Sequence, residues 1–185
     1  VGLGYVGLPL SIEFAKYFKT VGFDHDLHRI NSLNNYIDYT NEITSKALKS
    51  SKVTFTNNLS NMEKSNVFII SVPTPVNKQN QPDLKNIISA TKIVSNHLKP
   101  DDLVIYESTV YPGLTEEICI PILENKSKLY CSNDKIIKKD INFFYCGYSP
   151  ERINPGDKKR RLKNINKLVS GSCKAATRKI KFIYS

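Results

Sequence analysis

Apolar residues in this chain fall into short unbroken runs separated by stretches with helical spacing. Val67-Phe68-Ile69-Ile70-Ser71-Val72, Leu103-Val104-Ile105-Tyr106 and Phe143-Phe144-Tyr145-Cys146-Gly147-Tyr148 are continuous, the pattern of parallel strands covered on both faces. Thr20 to Asp24 and Val53 to Thr56 predict two shorter strands, and Lys167 to Ser170 a final short one. Between them, Leu8, Leu10, Ile12, Phe14, Ala15 and Phe18 recur with helical spacing, and Leu27, Ile30 and Leu33 mark one side of a helix from Asp26 to Asn34. Further helical turns are expected within Glu42 to Ser50. A helix opening at Pro82-Asp83 should run to about His97, with Leu84, Ile87, Ile88, Thr91 and Val94 inside. Another spans Leu114 to Leu123, kinked or split near Pro121 because proline has no N–H to donate, and a last one Ala175 to Tyr184. Asn125 to Asp140 is polar and lysine-rich and reads as a surface excursion. Alternating strands and helices define an α/β fold, a Rossmann-type doubly wound parallel sheet.

Gly2, Gly4 and Gly7 form a G-x-G-x-x-G pattern followed by the first helix, the second strand and then Asp24. Each glycine is needed for an absent side chain: one for the sharp turn, one for close approach of a pyrophosphate, one for helix packing on the sheet. The helix N-terminus points unpaired N–H groups at the anion. Asp24 stands where a carboxylate accepts from the adenosine ribose hydroxyls, which favours NAD over NADP. Only Val1 precedes the first glycine, so the first strand is nearly absent and the chain is expected to be a fragment.

Composition narrows the setting. With 185 residues and 40% hydrophobic content, one core is the default. No stretch approaches a membrane span and no signal peptide can be read, so a cytoplasmic protein without membrane association is expected. Cys119, Cys131, Cys146 and Cys173 lack C-x-x-C spacing, which argues for reduced thiols and against a metal site. The net charge is +10, with a basic run at Lys158-Lys159-Arg160-Arg161. The lysines are dispersed and no nucleic-acid module is visible, so the field is read as serving an anionic cofactor and substrate rather than nucleic acid.

The loops after the predicted strands carry the most specific chemistry. Val72-Pro73-Thr74-Pro75, Glu107-Ser108-Thr109-Val110-Tyr111-Pro112-Gly113 and Gly147-Tyr148-Ser149-Pro150-Glu151-Arg152-Ile153-Asn154-Pro155-Gly156, together with Gly2 to Pro9, resemble the UDP-glucose/GDP-mannose dehydrogenase family in its own order. The Tyr-Pro-Gly and Ser-Pro-Glu-Arg-Ile-Asn-Pro-Gly-Asp stretches look most like its UDP-N-acetylglucosamine 6-dehydrogenase branch, of Vi-polysaccharide type. The resemblance implies NAD-dependent oxidation of a sugar C6 alcohol to a carboxylate, by two hydride transfers and a cysteine thioester, for surface polysaccharide precursors. It implies that Gly2, Gly4, Tyr5, Val6, Gly7, Asp24, Arg29, Val72, Pro73, Thr74 and Thr109 bind the cofactor. Thr109 would also help position a water, Glu151 would transfer protons and hydrolyse the thioester, and Glu151 with Arg152, Ile153, Asn154 and Pro155 would line the UDP-sugar site. A carboxylate at a partly dehydrated strand end can act as a base, whereas a hydroxyl orients a water that it cannot itself activate.

The family's nucleophilic cysteine, catalytic lysine and asparagine, and its central and C-terminal UDP-sugar domains have no counterpart here. Residues 1–185 are therefore expected to be the NAD-binding domain alone, inactive by itself, from a homo-oligomeric parent enzyme. Cys146 lies inside an apolar strand, where a buried thiol with a raised pKa is expected. A non-catalytic nucleotide-binding remnant, another Rossmann dehydrogenase and a basic interaction protein are the alternatives. The second has no reason to carry both the Ser-Thr-Val and Ser-Pro-Glu loops, and the third fits only the charge.

Overall fold

The computed structural model describes residues 1–134, 142–151 and 167–185. They fall into two compact units, the first comprising Val1–Lys64 and the second Ser65–Glu151 with Lys167–Ser185. In the first unit, helix α1 (Gly7–Phe14) leads to strand β1 (Val21–Phe23), helix α2 (Leu27–Asn34), the short helix α3 (Ser45–Ser50) and strand β2 (Thr54–Thr56). Strands β1 and β2 pair in parallel, Val21 opposite Thr54. Residues before α1 form no strand, and among their ties the Gly2 N–H donates to the Phe23 carbonyl at 2.9 Å. Helix starts follow capping chemistry. Asp26 accepts from the His28 N–H at 2.8 Å, and Thr44 from that of Ala47 at 3.2 Å, each satisfying a donor that the first turn leaves open. Leu3, Leu8, Ile30, Leu33 and Leu48 make the core, with Ile12, Ile43 and Phe55 against it. Leu27, expected inside, is 54% exposed, while Arg29 is buried.

The second unit holds strands β3 (Val67–Ile70), β4 (Leu103–Tyr106), β5 (Tyr130–Cys131) and β6 (Phe143–Tyr148) in the order β3-β4-β6-β5, all parallel. The polar excursion thus supplies an edge strand, β5, before it leaves the described residues. The final strand β7 (Ser170–Gly171) pairs with β6 antiparallel, a departure from an all-parallel sheet. Helix α4 (Lys85–Ser95) precedes β4, and a wide π-type turn at Thr115–Cys119 opens into helix α5 (Ile120–Ser127). That turn is where the expected split occurs, and it seats Pro121 in the first turn of α5, where its missing N–H costs nothing.

Alternation along β4 explains the layering. Leu103 and Ile105 pack with Ile180 of the last helix α6 (Lys174–Tyr184). From the next position, the Tyr106 hydroxyl meets Thr91 Oγ1 of α4 at 3.0 Å. All four β4 residues are buried, as a strand sandwiched between helices requires. Gly147 is what lets α6 approach: a Cβ there would lie 2.1 Å from Ile180 Cδ1 and 2.8 Å from the Ser170 carbonyl. The four cysteines are free and buried. Hydrogen bonding to the Cys131 thiol, with burial, pushes the Cys146 thiol well up, the expected direction with the neighbouring thiol rather than the apolar strand as its main cause. Among the described residues no helix is long and apolar enough to cross a membrane, and no cluster of ligand residues could hold a metal ion.

Candidate functional site

The first unit carries the glycine turn. Gly2 has φ +90°, a conformation that an L side chain resists. Its neighbour Leu3 is gripped at both ends of its backbone: the N–H donates to Asp24 Oδ2 at 2.7 Å, and the carbonyl accepts from Arg29 Nε at 2.8 Å. Asp24 Oδ1 also accepts from the Asp26 N–H at 3.0 Å. Arg29 donates onward to Asp38 Oδ1 at 2.8 Å and lies 4.4 Å from the Tyr39 ring centre. Asp38 accepts from the N–H groups of Thr40, Glu42 and Ile43 and from the Thr40 hydroxyl. Burial would raise Asp38, but these hydrogen bonds outweigh it and hold the carboxyl below its ordinary value. Asp24 and Arg29 thus brace the turn, a role that sequence spacing did not reveal.

The turn fits a pyrophosphate. A Cβ placed on Gly4 would meet nothing within 4 Å, so the space over this peptide is open. The N–H groups of Tyr5, Val6 and Gly7, at the start of α1, have no acceptor among the described residues, and Val6 provides no side-chain cap. Such donors at a helix N-terminus are an anion site in waiting. Tyr5 is exposed and Gly7 buried.

The second unit carries the strand-end loops. Pairing of Ile70 with Tyr106 and of Tyr106 with Tyr148 brings the ends of β3, β4 and β6 level, so their loops emerge side by side. The Ser108 hydroxyl donates to the Val72 carbonyl at 2.7 Å, the Thr74 hydroxyl to the Thr109 carbonyl at 2.6 Å, and Asn86 to the Pro73 carbonyl at 3.2 Å. Thr109 is exposed. Beyond β6 the chain stays beside β4: Ser149 N–H donates to the Tyr106 carbonyl at 2.9 Å, and Glu151 N–H to that of Glu107 at 3.2 Å. One ammonium therefore lies near two carboxylates. Lys167 Nζ lies 2.5 Å from Glu107 Oε2 and 3.6 Å from Glu151 Oε2, and the Tyr184 hydroxyl donates to Glu107 Oε1. Burial pushes the Glu107 carboxyl up against the opposing pull of Lys167. Neither Lys167 nor Tyr184 stood out in the sequence. The available signal was Glu107 itself, an acid directly after four buried apolar residues that had to find a cation inside the fold. Arg152, Ile153, Asn154, Pro155 and the basic run 158–161 lie outside the described residues.

The whole chain, residues 1–185, matches the NAD binding domain of the UDP-glucose/GDP-mannose dehydrogenase family. The chain belongs to that family. It is 45% identical over its full length to protein CapL of Staphylococcus aureus, of which it covers 42%. It is 50% identical, over 93% of its length, to a UDP-N-acetyl-D-glucosamine 6-dehydrogenase of Pseudomonas aeruginosa, covering 39% of that protein. Among solved structures, a UDP-D-ManNAc dehydrogenase from Pyrococcus horikoshii is similar at TM-score 0.83 and 32% identity, with 99% of this chain and 43% of that one covered. The chain thus spans about two-fifths of the length of these relatives. This family domain binds NAD, and the expected Rossmann-type fold and family are those found.

Proposed function

We propose that this NAD-binding domain serves a cytoplasmic, homo-oligomeric nucleotide-sugar 6-dehydrogenase that oxidises the C6 alcohol of a UDP-N-acetylhexosamine to a carboxylate. The placement of Glu151 beside Glu107, level with Thr109 at the ends of adjacent parallel strands, carries this reading, because substrates of open α/β sheets meet strands at their carboxyl ends. The 50% identity to a relative named for UDP-N-acetyl-D-glucosamine supports the choice of sugar. On this reading residues 1–185 form one functional domain, and the sugar-nucleotide domains and thiol nucleophile belong to further sequence of the enzyme.

Bound NAD would supply the hydride acceptor. Gly2, Gly4, Tyr5, Val6 and Gly7 would present the backbone to its pyrophosphate, and Asp24 would take the ribose hydroxyls while bracing Leu3. Arg29 would act on the adenosine side through the turn that it supports. Val72, Pro73 and Thr74 would lie along the cofactor. Thr109 would orient a water, and Glu151 would accept that water's proton as its oxygen adds to the thioester carbonyl. Residues 152–155 would line the sugar.

A hybrid enzyme tests the proposal: residues 1–185 replace the matching segment of the Pseudomonas aeruginosa relative. NADH formation with UDP-N-acetylglucosamine is expected from the hybrid and not from the 185-residue chain alone. Glu151→Gln should let a covalent sugar adduct accumulate, seen by intact-protein mass spectrometry, and Thr109→Ala should slow the same step less. A Glu151→Gln hybrid that turns over normally without adduct overturns the assignment. A hybrid that binds NAD without turnover favours a non-catalytic nucleotide-binding module.

A further inference from the structure

Glu107, Lys167 and Glu151 form a buried charge cluster. The side chains of Glu107, Glu151 and Lys167 are 0%, 8% and 9% exposed. Both oxygens of Glu107 are engaged, Oε2 by the Lys167 ammonium and Oε1 by the Tyr184 hydroxyl, which leaves it poorly placed to reach a substrate. Lys167 is the shared cation: it also reaches the Ser149 carbonyl at 3.5 Å and lies 5.5 Å from the Tyr184 ring centre. Its position is set by the chain, since Ser170–Gly171 pairs antiparallel with Gly147–Tyr148 just beyond it. The two carboxylates are held together by the Glu151 to Glu107 backbone bond. Tyr184 is a further titratable group at the cluster.

Resting on the reading of Glu151 as the base, we propose that Lys167 is a positioning residue that keeps Glu151 ionised, its ammonium being shared between Glu151 and the competing carboxylate of Glu107. Two carboxylates this close would compete for one proton if nothing stood between them. The ammonium removes that competition.

The direct measurement is carbon NMR of the Glu151 side-chain carboxyl in the 185-residue chain, titrated from acid to neutral pH. Lys167→Met should raise the Glu151 midpoint by about one unit or more, as loss of an adjacent cation does. Glu107→Gln should move it the other way, because the ammonium is no longer shared. Lys167→Arg should leave it near the parent value. Should Lys167→Met fail to fold, the downward shift in Glu107→Gln and the rescue by arginine carry the test. A Glu151 midpoint unmoved in folded Glu107→Gln overturns the proposal, since an ion pair that merely stabilises the fold would change melting and not this titration. In the hybrid enzyme the acid limb of the kcat profile should follow the same directions with KM for the sugar nucleotide held. Failure of the underlying reading looks different: there Glu151→Gln itself hydrolyses the acyl-enzyme at the normal rate, whatever the titration shows.

Discussion

The two compact units hold their functional loops by different physics. In residues 1–64 the sheet has two strands of three residues each, and the glycine turn is fixed by polar ties, Asp24 to one side of Leu3 and Arg29 with Asp38 to the other. In the second unit four parallel strands carry the loops, and β4 is buried along its whole length between α6 and α4. The first arrangement fixes its loop by a few directional contacts, each costly to lose. The second spreads it over apolar area, where a single truncation leaves a cavity in an otherwise intact sheet.

The largest effect should come from Arg29→Leu. Its guanidinium is 3% exposed and Asp38 1%, so removing one partner strands a buried charge, at a cost of about 3–5 kcal/mol. Urea melts should show the loss, and hydrogen exchange should locate it in residues 1–64. Equal loss of protection around β4 would break the comparison. Ile180→Ala comes next, with roughly 2–4 kcal/mol expected from cavity formation under β4. Protection should fall there and the NAD affinity of the glycine turn should change little.

Gly2→Ala is smaller in stability, about 1–2 kcal/mol for forcing an L residue to positive φ. Its signature is functional, a weakening of NAD binding in calorimetric titration that Ile180→Ala does not share. Asp24→Ala should weaken NAD by roughly tenfold, about 1.4 kcal/mol, as a charged hydrogen-bond acceptor is lost. Tighter binding of NADP than of NAD by the parent chain would reject the ribose role of Asp24.

The smallest effect sharpens the contrast through pH. Asp38 is held below its unfolded value of about 3.9, so its stabilisation is complete above that pH and is lost as pH falls through the folded value. Glu107 is shifted the other way. The folded state binds the extra proton, so its contribution declines as pH rises from about 4.3 toward the folded value. Hydrogen exchange across pH 3 to 6 should show opposite slopes in the two units. Parallel slopes would mean that one of these carboxyls has been read with the wrong sign.

Much of the fold was legible because strand residues announce themselves by local composition. Leu103–Tyr106 and Phe143–Tyr148 were predicted residue for residue, since a strand buried on both faces tolerates no polar position. The split near Pro121 was equally local. Local pattern failed where the answer lay in a distant partner. Leu27 continued the apolar period of α2 yet faces solvent, while Arg29, polar and beside it in sequence, is buried because the Leu3 carbonyl and Asp38 lie there to receive it. The edge strand β5 was hidden in a polar stretch, because only two of its residues pair with β6.

By itself the sequence determined the α/β class, the glycine turn with Asp24 to follow, and the strand-end loops that carry Thr109 and Glu151, since each rests on backbone conformation or burial encoded by neighbouring residues. Only the tertiary structure decided what the charges do. Lys167 lies 60 residues from Glu107 along the chain, and they meet because β7 returns antiparallel to β6 while β6 lies against β4. Residue type records that an ion needs a partner; which partner is within reach is set by the register of strands far apart in sequence.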